Sequence, residues 1–144
     1  DTALRRRFVF DELMPDVSTL PEAAVDGVDL RKLLATLNRR IAYLFDREHT
    51  LGHAYFINIK TFADLEHCLL GKVIPLLQEY FFEDWSKIRL VFRDGQKKRE
   101  DQIVTQDEIN AADLFGSDAE VSDGRVHFEV VKTLTRDMVR AIYA

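Results

Sequence analysis

Arg5, Arg6 and Arg7 stand together near the start of the sequence, directly ahead of the apolar run Phe8-Val9-Phe10. A guanidinium is always charged and presents a rigid fork of donors. It therefore suits bidentate contact with phosphate oxygens and can stabilise charge developing on a transferred phosphoryl group. By charge and pattern alone a solvated basic turn accounts for the same residues, since surface exposure is the ordinary fate of arginine. His49 and His53 are four residues apart, a spacing that places two imidazoles on one helical face for a metal. Gly52 between them weakens such a helix, the glutamate of the pattern His-Glu-x-x-His is not beside His49, and no third ligand is evident, so no metal site is expected. Cys68, beside His67, lies in an apolar helical pattern and reads as a small core residue rather than a nucleophile. Tyr80, Phe81, Phe82 and Trp85 could stack on bases, but their helical spacing reads as packed core. Lys97-Lys98-Arg99 reads as a solvated loop.

The phosphate-cradling pattern Gly-x4-Gly-Lys-Ser/Thr is absent: Val73 follows Gly71-Lys72, and position 66 is Glu66. Nor does an apolar strand end in paired acids suited to a catalytic magnesium. These residues by themselves are not expected to bind nucleotide tightly or to hydrolyse it.

The elements that position these groups are mostly helical. Asp1 or Thr2 caps a short turn through Arg7, and Phe8-Val9-Phe10 reads as a short buried strand ended by Met14-Pro15. Residues 15–28, with two prolines and several acids, read as a connecting segment with a helical turn near Glu22 to Val25. Leu30, Leu33, Leu34, Leu37, Ile41, Leu44 and Phe45 then recur at helical spacing, with Arg31, Lys32, Arg39 and Arg40 opposite, Asp29 as N-cap and Gly52 beyond the end. Thr61 and Asp64 open a second helix that is expected to end near Gly71. Pro75 sits in the first turn of a third, and Asp84 caps a fourth that Gly95 is expected to stop. Beyond a polar run, Val126, Phe128 and Val130 alternate with His127 and Glu129, and Asp123-Gly124 is suited to turn a hairpin. Thr135 caps a last helix with Met138, Val139 and Ile142 on one face.

Composition bounds what this assembly can be. The 144 residues, 47% hydrophobic and 31% charged, suffice for one globular domain plus extensions. A net charge of −5 and an isoelectric point near 5.4 argue against a surface devoted to nucleic acid, so any DNA contact is local or lies elsewhere. The single cysteine cannot form an internal disulfide and suits a cytoplasmic setting, and no apolar run approaches the ~20 residues that span a bilayer. The first residues contain no Met and no secretory core, which leads us to expect a piece of a longer chain.

Three segments carry a resemblance. Asp1-Thr2-Ala3-Leu4-Arg5-Arg6-Arg7-Phe8 resembles the arginine-finger stretch of AAA+ proteins, in the form found in McrB-like members. Leu37-Asn38-Arg39-Arg40-Ile41 with Leu44 to Phe56 resembles the lid signature of that family, and Lys72 to Trp85 is similar to its following helix. The likeness runs in order from Asp1 to about Asp94. It implies an α+β fold, mainly α. Residues 1–15 would end the AAA+ core with its last strand, 16–28 would link, 29–94 would form the helical lid, and 95–144 would be an extension with a hairpin and a short helix.

The same resemblance implies roles. Arg6 and Arg7 become the finger pair acting in trans on nucleotide held by a neighbouring subunit, with Arg7 the foremost choice and Arg5 structural or a surface charge. Gly52 and His53 become the sensor-like lid segment that approaches nucleotide; Ala54 stands where family members often carry a hydroxyl. GTP or ATP with Mg2+ is implied as the nucleotide of the intact protein. A ring of like subunits, a McrC-like endonuclease subunit and DNA held by the whole assembly are its implied partners, with no membrane. Two other readings remain open: the lid of a MoxR-like AAA+ chaperone, and a non-catalytic helical module that binds a protein.

Overall fold

The computed structural model describes residues 24–116 and 125–144. The arginine stretch, the Phe8–Phe10 strand and the Asp123-Gly124 turn lie outside the described residues. Where the described part begins, Val25 and Val28 exchange both backbone hydrogen bonds at 2.9 Å across a turn with positive φ at Asp26 and Gly27. The helical turn expected near Glu22 to Val25 is therefore not helical at its described end. Gly27 suits this turn because its φ is +86°, a conformation L side chains rarely adopt, and the Arg140 guanidinium lies over it and donates to its carbonyl.

Helix α1 (Leu30–Leu44) starts where Asp29 accepts the Lys32 N–H at 3.0 Å. Its leucines return every three or four residues, so Leu30, Leu33, Leu34, Leu37 and Ile41 share one fully buried stripe. Each such side chain contributes roughly 1.5–3 kcal/mol on leaving water, which makes α1 the spine of the core.

Helix α2 (Phe62–Cys68) opens on the expected capping box between Thr61 and Asp64. It does not stop near Gly71. A π-helical turn over Leu69–Val73 carries it directly into α3 (Ile74–Tyr80), and the Ile74 N–H reaches back to Leu69, one residue further than an α-helix allows. The physical reason lies next door: Pro75 has no N–H for the Gly71 carbonyl and its ring crowds that carbonyl, and a widened turn relieves both. Helix α4 (Trp85–Phe92) begins at Asp84, whose carboxylate accepts from Ser86 and Lys87. Its stop is Arg93 in the left-handed region, φ 60°, rather than Gly95, which falls inside a following 3-10 turn.

Strand β1 (Val104–Ile109) pairs antiparallel with β2 (Arg125–Val130), Val104 facing Val130 and Ile109 facing Arg125. The short helix α5 (Ala111–Phe115) lies in the connection. Helix α6 (Arg136–Tyr143) then packs on α1, burying Met138, Val139 and Ile142 on the face expected from their spacing. The protein is thus mainly helical with a small two-stranded antiparallel sheet. A single apolar cluster runs from Val28 through all the long helices to Ile142. No helix among the described residues is long and apolar enough to cross a membrane.

Of the expected aromatic core, Phe81 is buried and Tyr80 and Trp85 pack against it, but Phe82 is 87% exposed. Phe82 takes a positive φ in the tight link to α4, which turns it out of the stripe.

Candidate functional site

The residues between α1 and α2 form a loop built on short turns. Asp46 Oδ1 accepts the N–H groups of Glu48 and His49 at 2.8 and 2.9 Å, capping a 3-10 turn over Arg47–His49. The same oxygen lies 2.5 Å from His49 Nδ1. The His49 ring stacks on Phe45 with centroids 4.2 Å apart and meets the edge of Tyr80 at 5.0 Å. His49 is therefore absorbed in packing. His53 opens a separate 3-10 turn, His53–Tyr55, so the two histidines do not share a helix face. Among the described residues no cluster of His, Cys, Asp or Glu could hold a metal.

What fixes the second turn is Asn38, one helical position beyond Leu37 and only 8% exposed in the apolar stripe of α1. A buried carboxamide must find partners, because an unsatisfied amide costs about 1–3 kcal/mol. Asn38 spends both ends on one residue: Nδ2 donates to the Leu51 carbonyl at 2.8 Å, and Oδ1 accepts the Leu51 N–H at 2.6 Å. Leu51 and Phe56 are each fully buried and bracket residues 52–55. The Cys68 thiol donates to the Tyr55 carbonyl at 3.2 Å, and burial pushes it up to about 11, consistent with a core residue rather than a nucleophile.

Between these anchors sit Gly52 and His53. Gly52 has an ordinary φ of −74°, and a Cβ there would meet nothing within 4 Å. Neither backbone nor packing among the described residues requires a glycine. The partly exposed His53 side chain makes no hydrogen bond among the described residues, while its carbonyl accepts the Phe56 N–H at 2.9 Å. Ala54 is exposed. The loop thus presents a small residue and an imidazole at a fixed place on the surface. Arg6 and Arg7, the other predicted site residues, lie outside the described residues.

Two positioning features were missed in the sequence. Arg40, read there as part of a polar face, donates to the Val91 carbonyl at 2.8 Å and the Ile142 carbonyl at 2.7 Å, tying the ends of α4 and α6 to α1. Burial, and then the nearby Arg93, lower its proton affinity. The Lys97 side chain, read as solvated, is almost wholly buried and pairs with the fully buried Asp94 at 3.1 Å. A charged residue in a polar run gives no local sign of burial. For Asn38 such a sign existed, a polar residue one place off a leucine stripe.

Residues 29–89 match the family model of the McrB alpha-helical lid domain. A comparison with curated proteins found no match.

Proposed function

Residues 29–89 form a McrB-type alpha-helical lid domain of an AAA+ protein, and from that premise we propose that the chain closes over a nucleoside triphosphate held by an AAA+ core. In this reading the nucleotide is GTP or ATP with Mg2+, bound by the core, and Gly52 and His53 face it. The observation that carries the reading is the loop itself. It is locked at Leu51 and Phe56, yet among the described residues the His53 ring makes no hydrogen bond and nothing lies within 4 Å of where a Gly52 Cβ would stand. A glycine allows close backbone approach to a phosphate or ribose, and a neutral imidazole can donate or accept there.

The magnesium-bound triphosphate supplies the bond that is cut, and the chain's residues supply position and charge. Arg6 and Arg7 act in trans, reaching the nucleotide of the next subunit in a ring, where a guanidinium stabilises the charge that develops in phosphoryl transfer. Rigid-body movement of the lid passes the nucleotide state to the ring, which drives DNA translocation together with a McrC-like endonuclease subunit.

The test joins this chain to a McrB-type nucleotide-binding core. Hydrolysis of GTP or ATP should appear in the joined protein, and Arg7→Ala should lower kcat by about 10³-fold or more. Because the arginine acts across a subunit boundary, mixing Arg7→Ala subunits with subunits whose own nucleotide site is disabled should restore part of the rate. The 144-residue chain alone should show no turnover above background. Hydrolysis by the isolated chain that Arg7→Ala abolishes would overturn the reading, and indifference of the core to the joined chain would point to a non-catalytic interaction module.

A further inference from the structure

We infer that Asn38 is a positioning residue for the nucleotide-facing loop, holding Gly52 and His53 in register with the helix that carries it; the inference rests on the reading of that loop given above. Asn38 touches neither of them. It acts through Leu51, the residue immediately before Gly52, by taking both the N–H and the carbonyl of that one residue. Two hydrogen bonds of opposite polarity to the two peptide groups that flank Leu51 fix both its position and its orientation, as a β-ladder partner would, but from a side chain. Only a carboxamide does this: aspartate offers no donor for the carbonyl, and serine and alanine cannot bridge the same pair.

The placement decides what the clamp controls. Gly52 follows Leu51 directly, and the Gly52 carbonyl then accepts the Tyr55 N–H at 3.1 Å, closing the His53–Tyr55 turn. Rotation of the Leu51 peptide would therefore swing the first residue of that turn, which is His53. The far end is held independently, by the buried Phe56 ring and by the Cys68 thiol on the Tyr55 carbonyl. Without Asn38, the loop keeps its C-terminal anchor and loses its N-terminal one. His53 then samples several positions instead of one, and a contact that depends on sub-ångström placement weakens.

The experiment has two arms. In the 144-residue chain, Asn38→Ala should speed amide hydrogen exchange at Leu51 by at least about tenfold, while the Leu33, Leu37 and Ile41 amides of α1 stay protected. In the chain joined to a McrB-type core, binding of a fluorescent GTP analogue should weaken by about tenfold in Asn38→Ala, with kcat at saturating GTP changed less than KM. His53→Ala should weaken binding comparably, and the double variant should be no weaker than His53→Ala alone, a non-additivity that a general loss of stability would not give. Asn38→Asp, which keeps the acceptor but sets a buried carboxylate against the Leu51 carbonyl, should not restore Leu51 protection or binding above Asn38→Ala.

Unchanged Leu51 exchange in Asn38→Ala would overturn the positioning role. Additive losses in the double variant would also overturn it, since Asn38 would then act elsewhere than through His53. If His53→Ala binds the GTP analogue as wild type does while Asn38→Ala still frees Leu51, it is the nucleotide-facing reading that fails.

Discussion

Two loops in this protein are held by a buried polar side chain, and they are held differently. After α1, Asn38 grips Leu51 with a neutral carboxamide. After α4, Asp94 grips the start of β1 with a charge, accepting the N–H groups of Ile103 and Val104 at 2.9 and 2.8 Å and pairing with Lys97. The first clamp leaves a partly exposed imidazole two residues away. The second closes completely: Asp94 is fully buried, the Lys97 side chain is 3% exposed, and every donor it meets is structural. A neutral clamp costs little to bury and can sit beneath a surface site. A charged clamp must be compensated on all sides, which leaves nothing free to act.

The difference is sharpest under mutation. Asp94→Ala strands the buried Lys97 ammonium and two backbone N–H groups, and should cost about 3–5 kcal/mol in urea unfolding. Lys97→Met should cost clearly less, because Asp94 keeps its two N–H donors and the replacement is apolar and of similar length. If the two variants are equally destabilised, the second loop is held by the ion pair and not by the backbone contacts. Asn38→Ala should come below Asp94→Ala, at about 1–3 kcal/mol, because the groups it exposes are neutral.

The smallest effect belongs to the exposed Arg99–Asp107 pair, joined by two hydrogen bonds of 2.7 and 2.9 Å. The hydrogen bonds from Arg99 hold the Asp107 carboxyl below its ordinary 3.8. A depressed carboxyl stabilises the fold fully above its unfolded value and loses that contribution as pH falls through the folded one. The difference in stability between wild type and Asp107→Asn should therefore narrow only in strong acid, and added salt should shrink it at neutral pH. A difference that persists unchanged in high salt would mean that Asp107 does more than pair with Arg99.

How far the sequence reached varies with the kind of signal. The Asp29, Thr61, Asp84 and Thr135 caps stand where a capping side chain followed by an apolar period placed them, because a cap satisfies backbone groups within three residues of itself. The helix ends were harder. Gly71 and Gly95 were natural stops by residue type, yet Gly71 lies inside a π turn set by Pro75, and Arg93 takes the left-handed cap ahead of Gly95. The β1 strand was not legible in the sequence. Gln106, Asp107 and Glu108 carry no apolar alternation, and only their pairing with Phe128, His127 and Val126 makes them strand. Asp94, Lys97 and Arg40 gave no sign of burial at all.

The sequence by itself determined the spine and its punctuation: one leucine-rich helix, the caps around it, and a lid-like order of segments with Gly52-His53 between them. The helix and its caps follow from periodicity and from contacts within one helical turn, and the lid-like order from the family resemblance of its segments. The tertiary structure alone decided which polar side chains turn inward. Asn38 reaches Leu51 across 13 residues, Arg40 reaches Ile142 across 102, and Glu66 takes the Leu134 N–H across 68. A buried polar group is tolerated only where a partner arrives from a distant part of the chain, and local sequence carries no record of that arrival.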